Sequence, residues 1–325
     1  MKKILVLHTG GTIAMVEDSE TGGVSTDQHN PLLGLPLHLS KEVSLQVEDF
    51  FNLPSPHITP THMLQLKERI ERGFHDEKID GVVITHGTDT LEETAYFLDM
   101  TIGNLLPIVV TGAMRSSNEV GSDGPYNYQT AIRVAASQES IGKGTLVVMN
   151  DEIHTARYVT KTHTTNVATF RTPTFGPIGL VNKHGVMFYQ QLVSSHNLDI
   201  HSVEGRIPIV KSYAGMESGV LSVLTPNEID GIVIEAFGAG NLPPQTLPSI
   251  QQMLDSNIPV ILVSRCFNGV AEGVYSYEGG GKQLEDMGVI FCNGLNSQKA
   301  RMKLLIALNA DLTPEEFKTF MTEQG

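Results

Sequence analysis

Two short segments put hydroxyls and glycines where chemistry can occur. In the first, an apolar run, Ile4-Leu5-Val6-Leu7, breaks into His8-Thr9-Gly10-Gly11-Thr12-Ile13-Ala14. That pattern is a buried strand ending in a turn, and in an open α/β sheet the turn at a strand's carboxyl end is where ligands bind. Glycines let a backbone come close to a ligand and expose its N–H groups. A threonine beside such donors can serve as a nucleophile next to an oxyanion hole. The plainer reading of this turn alone is a connector or a phosphate loop. The second segment, Asp80-Gly81-Val82-Val83-Ile84-Thr85-His86-Gly87-Thr88-Asp89-Thr90, repeats the design. Thr90 and Glu93 have capping-box spacing, which predicts a helix starting at Thr90 and leaves Thr88 and Asp89 at the strand's end. The plainer reading is that Thr88, Asp89 and Thr90 only compete to cap that helix.

The elements that must position these residues alternate. Lys2–His8, Ser44–Phe50, Gly81–Thr85, Ile108–Thr111 and Thr145–Met149 read as strands. Between them Thr59 is an N-cap followed by Pro60, and Met63, Leu66, Ile70 and Phe74 share one helix face. Such alternation predicts a mainly parallel sheet covered by helices on both faces. A second α/β unit follows, with strands at Gly231–Ala236 and Pro259–Ser264 and a helix over Pro243–Asp255. The chain finishes with two helices, the last opened by Thr313, Pro314 and Glu316. The expected organisation is therefore two α/β domains with mainly parallel sheets: a larger N-terminal domain over 1–190, a polar linker over 191–210 and a smaller C-terminal domain over 211–325.

Composition narrows the function. The 325 residues are 40% apolar, enough for real cores, and the net charge is −14. Such a balance argues against a nucleic-acid partner, which needs clustered Lys and Arg. No apolar run approaches the ~20 residues of a membrane span. Met1-Lys2-Lys3 resembles a signal-peptide start, but the apolar run after it is only Ile4 to Leu7, so a cytoplasmic protein is expected. Cys266 and Cys292 each follow a strand-like run and read as buried, reduced thiols. No Walker phosphate loop occurs, and Gly238-Ala239-Gly240 has Pro243 where a dinucleotide fingerprint needs its third glycine. The 12 histidines include no His-Glu-x-x-His and no Cys–His cluster with zinc spacing, so neither metal nor cofactor is expected. His8 reads as a core imidazole, and His154 and His163 as polar loop residues.

Thr9-Gly10-Gly11-Thr12-Ile13-Ala14 and Thr85-His86-Gly87-Thr88-Asp89-Thr90 resemble the two signature motifs of the bacterial L-asparaginases, the asparaginase/glutaminase family. The resemblance continues through Thr111-Gly112-Ala113-Met114-Arg115, Ser122-Asp123-Gly124-Pro125 and Asn150-Asp151-Glu152. It extends through Arg157 to Thr165, Phe237 to Leu242 and Asn296 to Arg301. Several separate motifs in one order span nearly the whole chain.

Amide hydrolysis by a hydroxyl needs a nucleophile, a base, an oxyanion hole and a grip on the substrate. The resemblance implies all four. Thr12 attacks the side-chain amide carbon, ammonia leaves, and water frees the acid. Backbone N–H groups around Gly11–Thr12 and Gly87–Thr88 hold the oxyanion. Thr88, Asp89 and Lys161 form a second catalytic group. Lys161, which alone reads as a solvated loop lysine, acts as a base only when neutral. Which threonine attacks first stays open. Asp89 pairs with the substrate ammonium, Ser55 holds its carboxylate and Ala113 offers its carbonyl near the amide nitrogen. Asn241 and Glu278 match residues that the family contributes from a neighbouring subunit, which implies a homo-oligomer, a tetramer built as a dimer of dimers.

Two features depart from the family pattern. Pro56 follows Ser55 where many members carry Gln, Thr or Ser. The lid, Met15 to Asn30, has no tyrosine, and the chain's first is Tyr96. Ser25 is expected to supply the lid hydroxyl, with Thr26 second, and Gly22-Gly23 to be the lid's hinge. The activity implied is hydrolysis of L-asparagine to L-aspartate and ammonia, with weaker action on glutamine. The rival readings are an ammonia-supplying amidotransferase subunit and a non-catalytic amino-acid sensor. The chain meets the first motif with no extra domain before it, which disfavours the former. Two threonines and a lysine exceed what binding alone requires.

Overall fold

The computed structural model describes residues 1–26, 30–37, 39–191, 197–225 and 227–323. The chain forms two compact units, Met1–Asn197 and Leu198–Gly325. Residues 27–29 of the expected lid and 192–196 of the expected linker lie outside the described residues, as does the Thr26 side chain.

The first unit holds β1 (Lys2–His8), β2 (Met15–Glu17), β3 (Val24–Thr26), β4 (Val43–Asp49), α1 (Pro60–Glu77), β5 (Gly81–Thr85), α2 (Leu91–Ile102), β6 (Ile108–Thr111), α3 (Gly124–Ala136), β7 (Thr145–Met149), β8 (Glu152–Thr155), β9 (Thr160–Lys161), β10 (Phe170–Arg171), β11 (Gly179–Asn182) and β12 (Gly185–Phe188). The main sheet runs β12-β11-β8-β7-β6-β5-β1-β4. From β7 to β4 every pairing is parallel, and β8, β11 and β12 continue it antiparallel. Ile4, Leu5, Val6 and Leu7 are fully buried, because β1 is paired on both edges and covered on both faces. Ile4, Val6, Val83, Val109 and Leu146 pack with Ala131, Ile132 and Ala135 of α3. Helix α2 packs against β6, β7 and α1. The second strand of the parallel sheet, β4, lies on one side of β1, and the third, β5, on the other. The order reverses between β1 and β5, and ligands bind outside the carboxyl ends of strands at such a switch point.

Several expected boundaries move. The second strand is Val43–Asp49, one residue earlier than expected. Thr90 is the N-cap of α2, yet its hydroxyl makes no capping bond; it donates to the Ser55 carbonyl at 2.8 Å. A tertiary acceptor has won over the local box. Gly22-Gly23 is not a hinge at the base of the lid. It closes the tip of a β2–β3 hairpin, whose turn is tied by Gly22 N–H to the Asp18 carbonyl and by Asp18 N–H to that of Gly23, both 2.8 Å.

In the second unit β13 (Ile209–Lys211), β14 (Ile232–Ala236), β15 (Val260–Ser264) and β16 (Ile290–Phe291) form a parallel sheet. With them go α4 (Gly219–Ser222), α5 (Leu247–Asp255), α6 (Gly281–Met287), α7 (Ser297–Leu308) and α8 (Pro314–Thr322). β13 begins inside the segment expected as linker. The helix expected from Pro243 starts as a 3-10 turn, Pro244–Thr246, and becomes α-helical at Leu247. The capping box of α8 forms: Thr313 N–H donates to Glu316 Oε2 at 2.8 Å, and Glu316 N–H to Thr313 Oγ1 at 3.3 Å. Both cysteines are free, but only Cys292 is buried; Cys266 is exposed. Among the described residues no helix is long and apolar enough to cross a membrane.

β1 ends at His8 and β5 leads into His86, both buried, and burial pulls each imidazole from 6.5 down to about 4. The folded state thus resists protonation that the unfolded chain accepts. Above pH 6.5 both states are neutral and the stabilisation is complete. Between pH 6.5 and 4 the unfolded state binds protons first and stability falls, by on the order of 3 kcal/mol per fully buried histidine. The denaturation midpoint should therefore decline through that window, and His86→Asn should flatten the decline. An unaltered acid limb in His86→Asn would show that this imidazole is not part of the linkage.

Candidate active site

The site grows from a close approach of three backbones. Gly11 follows β1 with φ +80°, and a Cβ there would collide with the Gly87 Cα. A Cβ on Gly87 would lie 2.7 Å from Ser55 Cβ and 3.1 Å from Gly11 Cα. Gly10, at φ +97°, faces the Leu53 backbone, and Gly11 N–H donates to the Leu53 carbonyl at 3.1 Å. The turn after β1, the turn after β5 and the Ser55 segment are therefore stacked in van der Waals contact. Thr12 and Thr88 are the residues that follow the two touching glycines.

Neighbouring bonds fix the stack. His86 N–H donates to the Thr111 carbonyl at 2.8 Å. Its Nδ1 lies 2.8 Å from the Gly87 carbonyl and its Nε2 2.9 Å from Thr94 Oγ1. A carbonyl only accepts, so Nδ1 carries the proton and Nε2 accepts from Thr94. His8 Nδ1 lies 2.7 Å from Thr85 Oγ1, as expected of a core imidazole. The backbone N–H groups of Thr12, Gly87 and Thr88 have no acceptor among the described residues. These are the free donors that an oxyanion hole requires.

Lys161 reaches this place from β9. Its Nζ donates to Thr88 Oγ1 at 2.9 Å and to Asp89 Oδ1 at 2.7 Å. Thr88 is buried, whereas the Asp89 side chain is 59% exposed and open to an incoming cation. The lysine side chain is thus held against Thr88 and Asp89 and is not simply solvated. The Thr12 hydroxyl, half-buried, has no hydrogen-bond partner among the described residues. Ser55 is buried in a 3-10 turn, Ser55–His57, where Pro56 needs no N–H. Its Oγ accepts the Asp89 N–H at 3.2 Å, which leaves its own proton to donate.

Ala113 is buried on a loop clamped by Asp123, whose carboxylate accepts from Met114 N–H at 3.1 Å and Arg115 N–H at 3.0 Å. Asn127 Nδ2 donates to the Gly112 carbonyl at 3.0 Å. Ser117 N–H and hydroxyl both donate to the Met15 carbonyl, and the Asn118 amide exchanges two 2.8 Å bonds with the Glu17 backbone. Ser25 is exposed on β3, opposite Val16, and β3 lies alongside the 3-10 turn Thr12–Ala14. Asn241 and Glu278 belong to the second unit. Asn241 Oδ1 accepts from Gly281 N–H at 3.0 Å, and Glu278 is exposed. Glu92 was not foreseen. It is 3% exposed, and its Oε2 accepts the Lys161 N–H at 2.8 Å. In the sequence it reads only as an acidic residue in the first turn of a helix. Among the described residues no group of His, Cys, Asp and Glu is arranged to hold a metal ion.

Comparison with known proteins identifies the family. The family described as "Asparaginase, N-terminal" matches residues 3–194, and "Glutaminase/Asparaginase C-terminal domain" matches residues 206–321. The L-asparaginase of Bacillus licheniformis is 38% identical over 311 residues, 94% of this chain and 95% of that one. A probable L-asparaginase of Deinococcus radiodurans is 39% identical over 330 residues, 99% of this chain and 98% of that one. The crystal structure of a probable cytoplasmic L-asparaginase from Campylobacter jejuni superposes with a TM-score of 0.87 at 33% identity, covering 99% of each chain. With both family descriptions matched in order over most of its length, the chain belongs to the asparaginase family.

Proposed function

We propose that this protein is an L-asparaginase that converts L-asparagine and water to L-aspartate and ammonia. The observation that carries this reading is Lys161 Nζ bonded to both Thr88 Oγ1 and Asp89 Oδ1, beside three unpaired backbone N–H groups. In this reading exposed Asp89 receives the α-ammonium and the Ser55 hydroxyl donates to the α-carboxylate. Ala113 turns its carbonyl to the amide nitrogen. The Thr12 oxygen bonds to the amide carbon, the carbon–nitrogen bond breaks with proton transfer to nitrogen, and ammonia leaves an ester on Thr12. Water then adds to the ester, releasing aspartate and restoring the hydroxyl. Thr88 relays protons to and from Lys161, which accepts only when neutral. The arriving ammonium brings a second cation to the carboxylate that now holds the lysine. Glutamine is a weaker substrate and the setting is the cytoplasm.

A second reading, with Thr88 as the attacking residue, is favoured by the hydrogen bond that joins it, and not Thr12, to the lysine. Oligomer assembly is part of the proposal. Phe267, Val270, Val274, Tyr275 and Tyr277 are exposed just before Glu278, an apolar run of the kind that marks an interface. The assembly is a tetramer made as a dimer of dimers, in which Asn241 and Glu278 complete a neighbour's site.

Thr12→Ala and Thr88→Val should each lower turnover by several orders of magnitude with the fold intact, and the double variant should be little worse than either. Peptide mass mapping of acyl-enzyme trapped in Lys161→Met should place the ester on Thr12. An ester on Thr88 selects the second reading, and full ammonia release by Thr12→Ala ends the first. Mixed and reassembled Thr12→Ala and Asn241→Ala chains should regain part of the activity. Monomers that turn over at the full rate would contradict shared sites. Ser25→Ala should lower kcat and Thr26→Ala should lower it less, with a bridging water filling the shorter reach of the serine. Unchanged kcat and KM in Ser25→Ala would remove the lid hydroxyl from the mechanism.

A further inference from the structure

We propose that Glu92 is the positioning residue that sets where the Lys161 ammonium stands. This builds on the reading of Lys161 as the proton-transfer group. Lys161 sits on β9, a strand of two residues whose partner, β10, has also two. A ladder so short fixes little by itself. Thr162 N–H and hydroxyl donate to the Thr169 carbonyl at 2.9 and 2.7 Å, and Thr169 Oγ1 donates to the His163 carbonyl at 2.6 Å. Those bonds close the loop upon itself. The bond from Lys161 N–H to Glu92 Oε2, 2.8 Å long, ties the loop to helix α2.

That tie is significant because of what else α2 controls. Thr88 and Asp89, the two partners of Nζ, lie in the turn that leads into its N-terminus, and Glu92 is its second residue. One rigid helix start therefore holds both ends of the lysine: the backbone N–H through Glu92 and the Nζ through Thr88 and Asp89. A long, flexible side chain gains a defined tip only when its root is fixed too. The choice of a carboxylate follows from its place. The N-terminal turn of a helix favours a negative charge, which offsets the burial of Glu92, and a charged acceptor binds an N–H more tightly than a neutral one. A misplacement of about 1 Å can cost about a hundredfold in rate.

The test uses the full-length protein with Glu92→Leu and Glu92→Gln. Glu92→Leu should lower kcat for asparagine by about a hundredfold while KM changes little. It should cost nothing further in a Lys161→Met background, because it acts through the lysine. Glu92→Gln should recover most of the rate, since its amide oxygen still accepts. A wild-type kcat in Glu92→Leu, a loss carried by KM, or an equal further loss in the Lys161→Met background would overturn the assignment. Amide hydrogen exchange at Lys161 gives a readout independent of catalysis and of whether Glu92→Leu folds. The N–H should be protected in the wild type and in Glu92→Gln; free exchange in the folded wild type would overturn the proposal. A protein that protects this amide but releases no ammonia from asparagine would refute the asparaginase reading and leave the placement of Lys161 standing.

Discussion

The first unit depends on two glycine backbones being in contact. β1 and β5 are adjacent parallel strands, so their carboxyl-end turns emerge side by side. Adjacent strands are separated by about 4.8 Å, and side chains on both turns would hold them apart. At Gly11 and Gly87 a Cβ meets backbone or Ser55 atoms, and at Gly11 the φ of +80° would strain any other residue as well. Because the turns can close, the residues that follow the two glycines, Thr12 and Thr88, are brought close, Ser55 packs against Gly87, and the N–H groups of Thr12, Gly87 and Thr88 are left without an acceptor among the described residues. The hydroxyls, donors and carboxylate contact are consequences of that one approach.

Electrostatics follows from the same compaction. The chain carries a net charge of −14, but charges beyond about 10 Å are largely screened in salt. What acts on a reacting group is local. His8 and His86, the residues most suited by type to proton transfer, lie beneath the site, and burial holds both near neutral down to about pH 4. His86 spends both ring nitrogens on Gly87 and Thr94. These imidazoles are struts for the turns. Lys161 is the side chain whose amine touches Thr88.

How much of this was legible in the sequence depended on how completely an element is buried. β1, β5, β6 and β7 have the bounds expected of them, because strands covered on both faces carry apolar runs at their centres. The site turns were legible through the family resemblance, since glycine next to threonine at a strand end also suits a plain connector or a helix cap. The β2–β3 hairpin was not legible, since each strand has only three residues and no pattern of period two can develop. Thr90 misled because its local partner, Glu93, is visible in sequence and its tertiary one, the Ser55 carbonyl, is not. Cys266 followed a buried strand but had already left the core. Glu92 was hidden because an acid in a first helical turn already has a sufficient local reason to be there.

The β2–β3 hairpin, which holds part of the segment expected as a lid, is braced by a neighbouring loop. Asn118 offers its amide N–H and C=O to the C=O and N–H of Glu17, the pattern of a β-bridge made by a side chain, and Ser117 adds two bonds to Met15. The loop that carries Asn118 also carries Ala113, and Asp123 and Asn127 clamp it from α3 and its N-cap. A displacement of β2 must therefore break the Asn118 pair or drag the Ala113 loop against that clamp. The tip, Asp18 to Gly23, has its own bonds to Asp18 and moves as a closed unit. In this arrangement Gly22 and Gly23 shape the hairpin turn, and polar residues on a neighbouring loop hold its first strand in place.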